Sequence, residues 1–379
     1  MVVEVIPEES PSLNRDNTSA WTDIQERFFA QISPLRLFPG AALAVYCGGR
    51  LVLDLVEGFA DTQRGEQVAP DTMFPLFSGT KPFAAIALWQ QIERGRLLLD
   101  APVATYWPEF GRNGKNRVLV CHVLSHRGGF PTTPTALPRH LWGNWERAIQ
   151  TIAAMPLEYP PGDVSAYHFL TQHWVCAELV HRLDGRWYPD YLREEITGPL
   201  GLIDTYVGLP LALEHLVAKL HATDGTDGWG RDVLRAMQDA PLHRTMVSGA
   251  SGVSTARDMA RFYAAIAAGG TIDGARILQP ETVERMLEVE VDGDTDPTFS
   301  VPVRRGLGFE LGGLTDPRRH WPGAMSTVRT FWHGGFGSSV CWGDTPSGLA
   351  MAFLTNGVRR DEAGAIARRD LSDAVRAAC

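Results

Sequence analysis

Apolar residues come in three rhythms along this chain, and the changes between them mark its organisation. Asn17 to Ile32 repeats with helical spacing and predicts an opening helix. Ala41–Tyr46 and Leu51–Gly58 are β-rich runs on either side of Cys47-Gly48-Gly49-Arg50, which reads as a hairpin. A second helix is expected from about Ser78 to Arg94. Its apolar positions Ala85, Leu88, Trp89 and Ile92 follow i, i+3, i+4, i+7 and define a buried stripe. From there to about Asp294 the pattern is mostly helical and loop-like, with Pro/Gly-rich breaks at 130–138 and 156–162. Short strands separated by glycines then return at Gly306–Gly312, Thr330–His333, Ser338–Asp344 and Leu349–Asn356, and Asp361–Ala378 closes as a helix.

Strands at both ends with helices between them predict an α/β (α+β) architecture, an antiparallel sheet flanked by helices with a mostly helical inserted subdomain. The expected division is 1–95 plus 296–379 as one discontinuous unit and 96–295 as the second. A cleft between them is the natural ligand site, shaped by the loops at 130–150 and 220–245.

Composition narrows the classes of function. The chain has 379 residues and a net charge of −9, which disfavours a nucleic-acid partner or an anionic membrane surface. No apolar run approaches the length of a membrane span, and the acidic start MVVEVIPEES lacks the form of a signal peptide. Five widely spaced cysteines without a C-x-x-C pair read as reduced thiols, so a cytoplasmic protein is expected. Nothing in the chain sets its oligomeric state.

Only three lysines, Lys81, Lys115 and Lys219, stand among 35 basic side chains. One of them completes Phe77-Ser78-Gly79-Thr80-Lys81. Stepping back from Ala85 and Leu88 puts Lys81 and then Ser78 on the inward stripe, a hydroxyl and an amine one turn apart. Burial lowers an amine's pKa, and a neutral amine accepts the proton of an adjacent serine. A capping serine with a solvent-seeking lysine is the plain alternative.

Two further segments add candidates. Tyr167-His168 follows the turn Pro160-Pro161-Gly162-Asp163 and precedes an apolar helical run, so its phenol is placed to reach a cleft. A nearby lysine cation is expected to ease its deprotonation. Trp332-His333-Gly334-Gly335-Phe336-Gly337 joins two β runs, where glycines let backbone approach a ligand. Gly249-Ala250-Ser251-Gly252-Val253 misses the final glycine of a nucleophile elbow. His122 and His126 make only a weak metal pair, and Trp332, Trp342, Trp107 and Trp142 are either core or pocket residues.

Taken together, Ser78-x-x-Lys81, Leu124-Ser125-His126-Arg127-Gly128-Gly129-Phe130, the tyrosine-bearing segment and His333-Gly334-Gly335 resemble the serine β-lactamase/penicillin-binding-protein superfamily. The resemblance is to its esterase branch, the family VIII carboxylesterases, with the class C β-lactamases as relatives. It implies Ser78 as nucleophile, Lys81 as its activator and Tyr167 as proton carrier to the leaving alcohol and from water. Backbone N–H groups of Ser78 and Phe336 would form the oxyanion hole. His333, Gly334, Gly335, His168 and Trp332 would line the substrate pocket. No metal or organic cofactor is implied, and the expected partner is a small-molecule ester. Two departures matter: Phe169 stands where class C enzymes carry asparagine, and His333 replaces the usual lysine. Both favour a neutral ester over a charged lactam, with acyl transfer or a β-lactamase/D-alanyl-peptidase activity as the alternatives.

Overall fold

The computed structural model describes residues 18–32, 36–133, 136–238, 240–316, 318 and 321–379. Asn17 and the acidic start MVVEVIPEES lie outside the described residues. Nine strands form one sheet: β1 (Gly40–Cys47), β2 (Arg50–Asp61), β3 (Glu66–Gln67), β4 (Val291–Asp296), β5 (Val301–Arg305), β6 (Glu310–Leu311), β7 (Thr330–Gly335), β8 (Ser339–Asp344) and β9 (Leu349–Thr355). Their order is β3-β2-β1-β9-β8-β7-β6-β5-β4, and every pairing in it is antiparallel. The two ends of the chain therefore meet at the centre, where Ala41 to Cys47 pair with Thr355 to Leu349.

Both faces of the sheet are covered, which explains why its central strands read as continuous apolar runs. Along β1, Ala42, Ala44 and Tyr46 join the larger core, while Ala41, Leu43 and Val45 join a second core. That second core is closed by the opening helix α1 (Thr18–Ile32), through Ile24 and Phe28, and by the final helix, through Leu371 and Val375. Within the larger core lies α2 (Lys81–Glu93). It is buried on every side from Lys81 to Gln91, so the single stripe expected from Ala85, Leu88, Trp89 and Ile92 understates it. Packing all round a helix requires close approaches, and Gly308 supplies one at φ +115, where a Cβ would come within 2.5 Å of the Ala85 Cβ. Any larger side chain at Gly308 or Ala85 would push the β5–β6 connection off the helix.

The helical middle of the chain includes α3 (Trp145–Ala154), α4 (Thr171–Asp184), and α5 (Ala256–Ala267), whose Phe262 packs on Phe83 of α2 with ring centroids 4.5 Å apart. The last helix is α6 (Glu362–Ala378), capped by Asp361, whose carboxylate accepts from Gly364 N–H at 3.1 Å.

Five strand expectations survive with shifted ends, but Gly306–Gly312 shrinks to Glu310–Leu311. Three strands of the sheet, β3, β4 and β5, were not anticipated. Of these, β4 reads Val-Asp-Gly-Asp-Thr-Asp and is buried only at its ends, because it lies at the edge of the sheet and turns Asp292 and Asp294 to water, while Asp296 is buried. Among the described residues, no helix is long and apolar enough to cross a membrane.

Candidate active site

Ser78 sits in a tight 3₁₀ turn, Phe77–Thr80, that feeds directly into α2. The α-helix expected from Ser78 thus begins three residues later, at Lys81. Phe77 holds φ +50, a left-handed conformation that costs a non-glycine residue free energy and persists only where the surroundings enforce it. Those surroundings are visible. Thr80 Oγ1 donates to the Phe77 carbonyl at 2.7 Å and accepts from Gly252 N–H at 3.0 Å, while Leu76 N–H donates to the Gly252 carbonyl at 2.8 Å.

The Lys81 side chain is fully buried, with Nζ 3.2 Å from Ser78 Oγ. Nζ also donates to the carbonyls of Phe169 at 2.7 Å and Gly249 at 2.8 Å. No carboxylate is among these partners, and desolvation lowers the Lys81 pKa to about 7. Near neutrality the amine spends much of its time uncharged. Its two N–H bonds are then taken by the two carbonyls, and the remaining lone pair faces the serine hydroxyl.

Tyr167 completes the group from a distant part of the chain. Tyr167 shares a cleft wall with Ser78, and its ring centroid is 5.3 Å from Lys81 Nζ. Burial pushes the phenol pKa up, the reverse of the easier deprotonation expected from a lysine cation. The physical reason is that desolvation of a phenolate outweighs every nearby charge. The Tyr167 ring stacks on His126 at 4.7 Å. Its backbone N–H donates to Asp296 at 3.0 Å. Asp296 is in turn held by Arg305 at 2.6 Å, and Arg305 also reaches Glu310 at 2.8 Å and Ser165 Oγ at 2.7 Å. One buried guanidinium bridges both carboxylates and the serine hydroxyl, which makes a hydrogen-bonded frame for Tyr167.

Ser78, Tyr167, Trp332, His333, Gly334 and Phe336 all line one cleft of about 550 Å3. His333 faces it from β7, with Nδ1 3.0 Å from the Gly334 carbonyl oxygen. Phe336 follows the end of β7, and its ring lies 5.9 Å from that of Phe77. The turn after it is held by the Gly337 carbonyl, which accepts from Arg359 N–H at 2.9 Å and Arg368 Nη1 at 3.0 Å.

Two expected pocket residues are elsewhere. His168 is buried behind Tyr167, its ring 4.5 Å from Phe130 and its backbone N–H donating to His126 Nδ1 at 3.0 Å. Desolvation lowers its pKa to about 3, so it is neutral. Residues that alternate along an extended segment point to opposite sides, and Tyr167 took the cleft side. Gly335, the last residue of β7, faces the chain at Leu76, where a Cβ would come within 2.4 Å of the Leu76 carbonyl oxygen. Its lack of a side chain lets β7 rest against the turn that carries Ser78. Of the four tryptophans considered, Trp332 reaches the cleft, whereas Trp342 and Trp107 are core and Trp142 packs against it.

A sequence model of the Beta-lactamase family matches residues 28–375. The chain belongs to the beta-lactamase family. It is 30% identical over 354 residues to the Mycobacterium tuberculosis protein named esterase/beta-lactamase LipL, covering 87% of this chain and 80% of that one. Among solved structures, a penicillin-binding protein homologue from Caulobacter crescentus is 28% identical with a TM-score of 0.83, covering 95% of this chain and 98% of its own. A family VIII carboxylesterase is 26% identical with a TM-score of 0.82 over the same shares of the two chains. The protein is accordingly a serine hydrolase of the beta-lactamase fold.

Several parts of this beta-lactamase-family site escaped the sequence. The run Gly249-Ala250-Ser251-Gly252-Val253, set aside as a failed nucleophile elbow, supplies one of the two carbonyls on Lys81 and the clamp on the Ser78 turn. Its small residues were the available signal, since a Cβ on Gly252 would come within 2.6 Å of Thr80 Oγ1. The Asp296–Arg305–Glu310 frame lies in strands and turns that were not read as part of the site. Trp229, Phe299 and Trp321 also line the cleft. Trp229 comes from the 220–245 segment expected to shape it.

Proposed function

We propose that this protein is a carboxylesterase that works through an acyl-enzyme on Ser78. The observation that carries this reading is the fully buried Lys81 amine, 3.2 Å from Ser78 Oγ with two backbone carbonyls and no carboxylate as its other partners. Ser78 Oγ gives its proton to Lys81 Nζ as it attacks the ester carbonyl. The developing oxyanion is taken by the backbone N–H groups of Ser78 and Phe336. Tyr167 then protonates the departing alcohol oxygen. A leaving alkoxide is more basic even than a phenol with a raised pKa, and the new Lys81 ammonium steadies the phenolate that results.

Deacylation runs the same protons back. A water gives its proton to the Tyr167 phenolate and attacks the acyl carbonyl. Ser78 Oγ leaves and recovers the proton held on Lys81. Each group ends as it began, so no cofactor enters the cycle. An alcohol in place of that water would yield acyl transfer by the same steps.

Phe169 and His333 support an ester over a β-lactam or a D-alanyl peptide. The first removes an amide partner, and the second removes a permanent positive charge from the place where a lactam carboxylate would rest. The test is a comparison of p-nitrophenyl butyrate with nitrocefin on the same preparation, with a mass-spectrometric acyl adduct sought on Ser78. Ester turnover with an adduct on Ser78 is expected. Efficient nitrocefin cleavage with negligible ester cleavage would overturn the reading in favour of a β-lactamase.

A further inference from the structure

The cleft beside Ser78 is walled by rings from four separate stretches of chain. Phe169 sits in the middle of the arc, edge-on to Trp229 at 5.8 Å and to Phe299 at 5.9 Å. Beyond Trp229 the arc continues to Phe336 at 4.8 Å, and beyond Phe299 to Tyr167 at 5.1 Å. The rings thus run from the phenol on one side of Ser78 to the residue at the end of β7 on the other. Phe169 holds this central place at the position where class C enzymes carry an asparagine.

Two features show that the arc faces a ligand and is not simply an extension of the core. Trp229 is 42% exposed, Phe299 40% and Ile366, which also lines the cleft, 37%. Apolar surface left against water is unfavourable, and clustered around a concave site it marks the place where a ligand buries it. Three of the charged groups along the cleft are held in ion pairs. Arg360 pairs with Asp227 at 2.6 Å and lies over the rings of Trp229 and Phe336 at 4.5 and 4.9 Å. Arg318 pairs with Asp316 at 2.6 Å, and Glu310 with Arg305 at 2.8 Å. What the mouth of the cleft offers is chiefly carbon.

We infer that the substrate is a carboxylic ester carrying a bulky apolar group, aromatic or branched aliphatic, and that Phe169, Trp229 and Phe299 select for that group. The inference rests on the esterase reading and adds the substrate class to it. Rings held edge-on to one another prefer a flat or compact apolar partner that completes the arc, and a methyl group leaves most of that surface wet. The bulky group belongs either to the acyl part or to the alcohol part of the ester, and the chemistry of recognition is the same for both.

The test compares kcat/KM in two arms on the full chain. The acyl arm sets p-nitrophenyl cyclohexanecarboxylate against p-nitrophenyl acetate. The alcohol arm sets cyclohexylmethyl acetate against ethyl acetate, whose leaving alcohols are of similar acidity, followed by proton release. After correction for the uncatalysed rates, the bulky ester is expected to be favoured at least tenfold in one arm, which identifies the side of the ester bound by the rings. Trp229→Ala, Phe299→Ala and Phe169→Asn should each cut that preference at least fivefold. Trp229 and Phe299 are exposed enough for their variants to fold, and unfolding midpoints would check this. Flat ratios in both arms, or a preference that survives all three variants, would overturn the inference while ester turnover left the esterase reading in place. No ester turnover in either arm would overturn both.

Discussion

Two of the three lysines, Lys81 and Lys115, are completely buried without a carboxylate partner, and the proposed mechanism makes one of them a reactive amine and leaves the other structural. Lys115 donates to the carbonyls of Arg112 at 3.1 Å, Ala153 at 3.0 Å and Met155. Ala153 and Met155 lie at the C-terminal end of α3, where helix carbonyls lack partners and carry partial negative charge. All three donors of an ammonium are used there, and Lys115 acts as a cap. Lys81 meets two carbonyls and, as its third neighbour, the Ser78 hydroxyl at the wall of the cleft. Desolvation lowers both pKa values, to about 7 for Lys81 and about 8 for Lys115. A depressed pKa therefore does not distinguish them. The third neighbour does.

Four substitutions and one titration break or sharpen this comparison. The largest loss is expected from Ser78→Ala, which should lower kcat by roughly four orders of magnitude with an unchanged unfolding midpoint. Ester turnover that persists would mean the nucleophile lies elsewhere. Lys81→Met should cost about a thousandfold in kcat, because proton acceptance and serine placement are lost together. A loss below tenfold would make Lys81 as inert as Lys115.

Tyr167→Phe keeps the ring stacked on His126 and removes only the hydroxyl, so a loss of roughly a hundredfold in kcat is expected, smallest for esters with acidic leaving groups. Equal losses for p-nitrophenyl and alkyl esters would contradict proton delivery to the leaving alcohol. The pH profile should show kcat/KM rising through pH about 7, since the required form of Lys81 is the deprotonated one. A profile that falls through that range would reverse the assignment. Lys115→Met should leave kcat within about twofold and lower stability by about 2 kcal/mol, the cost of carbonyls left without donors. Loss of activity in the folded variant would erase the distinction between the two lysines.

Stability offers a second view of the same pair. In the folded protein Lys115 gives up its proton at about 8, well below the usual lysine value, so the unfolded chain binds more protons above that pH. Stability from this residue should therefore rise with pH from about 8 toward the ordinary lysine pKa. Denaturant titrations of Lys115→Met against the parent should show that part of the slope gone.

The proximity of hydroxyl and amine was readable from spacing alone, because a turn running into a helix places residues three apart on one side whatever surrounds them. Likewise the central strands were legible, since a sheet covered on both faces imposes long apolar runs. By contrast, β4 hid behind the exposed Asp292 and Asp294, and His168 was misplaced because spacing does not say which of two adjacent side chains takes the cleft.

What the sequence determined by itself is short in range: the Ser78–Lys81 spacing, the hairpin, the main strands and the helices that flank them. The tertiary structure decided everything that depends on partners from afar. Lys81 draws its carbonyls from 88 and 168 residues away, and the aspartate that fixes Tyr167 is 129 residues distant. Local periodicity encodes which face of an element is apolar, whereas desolvation, which sets the charge on Lys81 and keeps Tyr167 protonated, is the sum of all neighbours brought in by the fold.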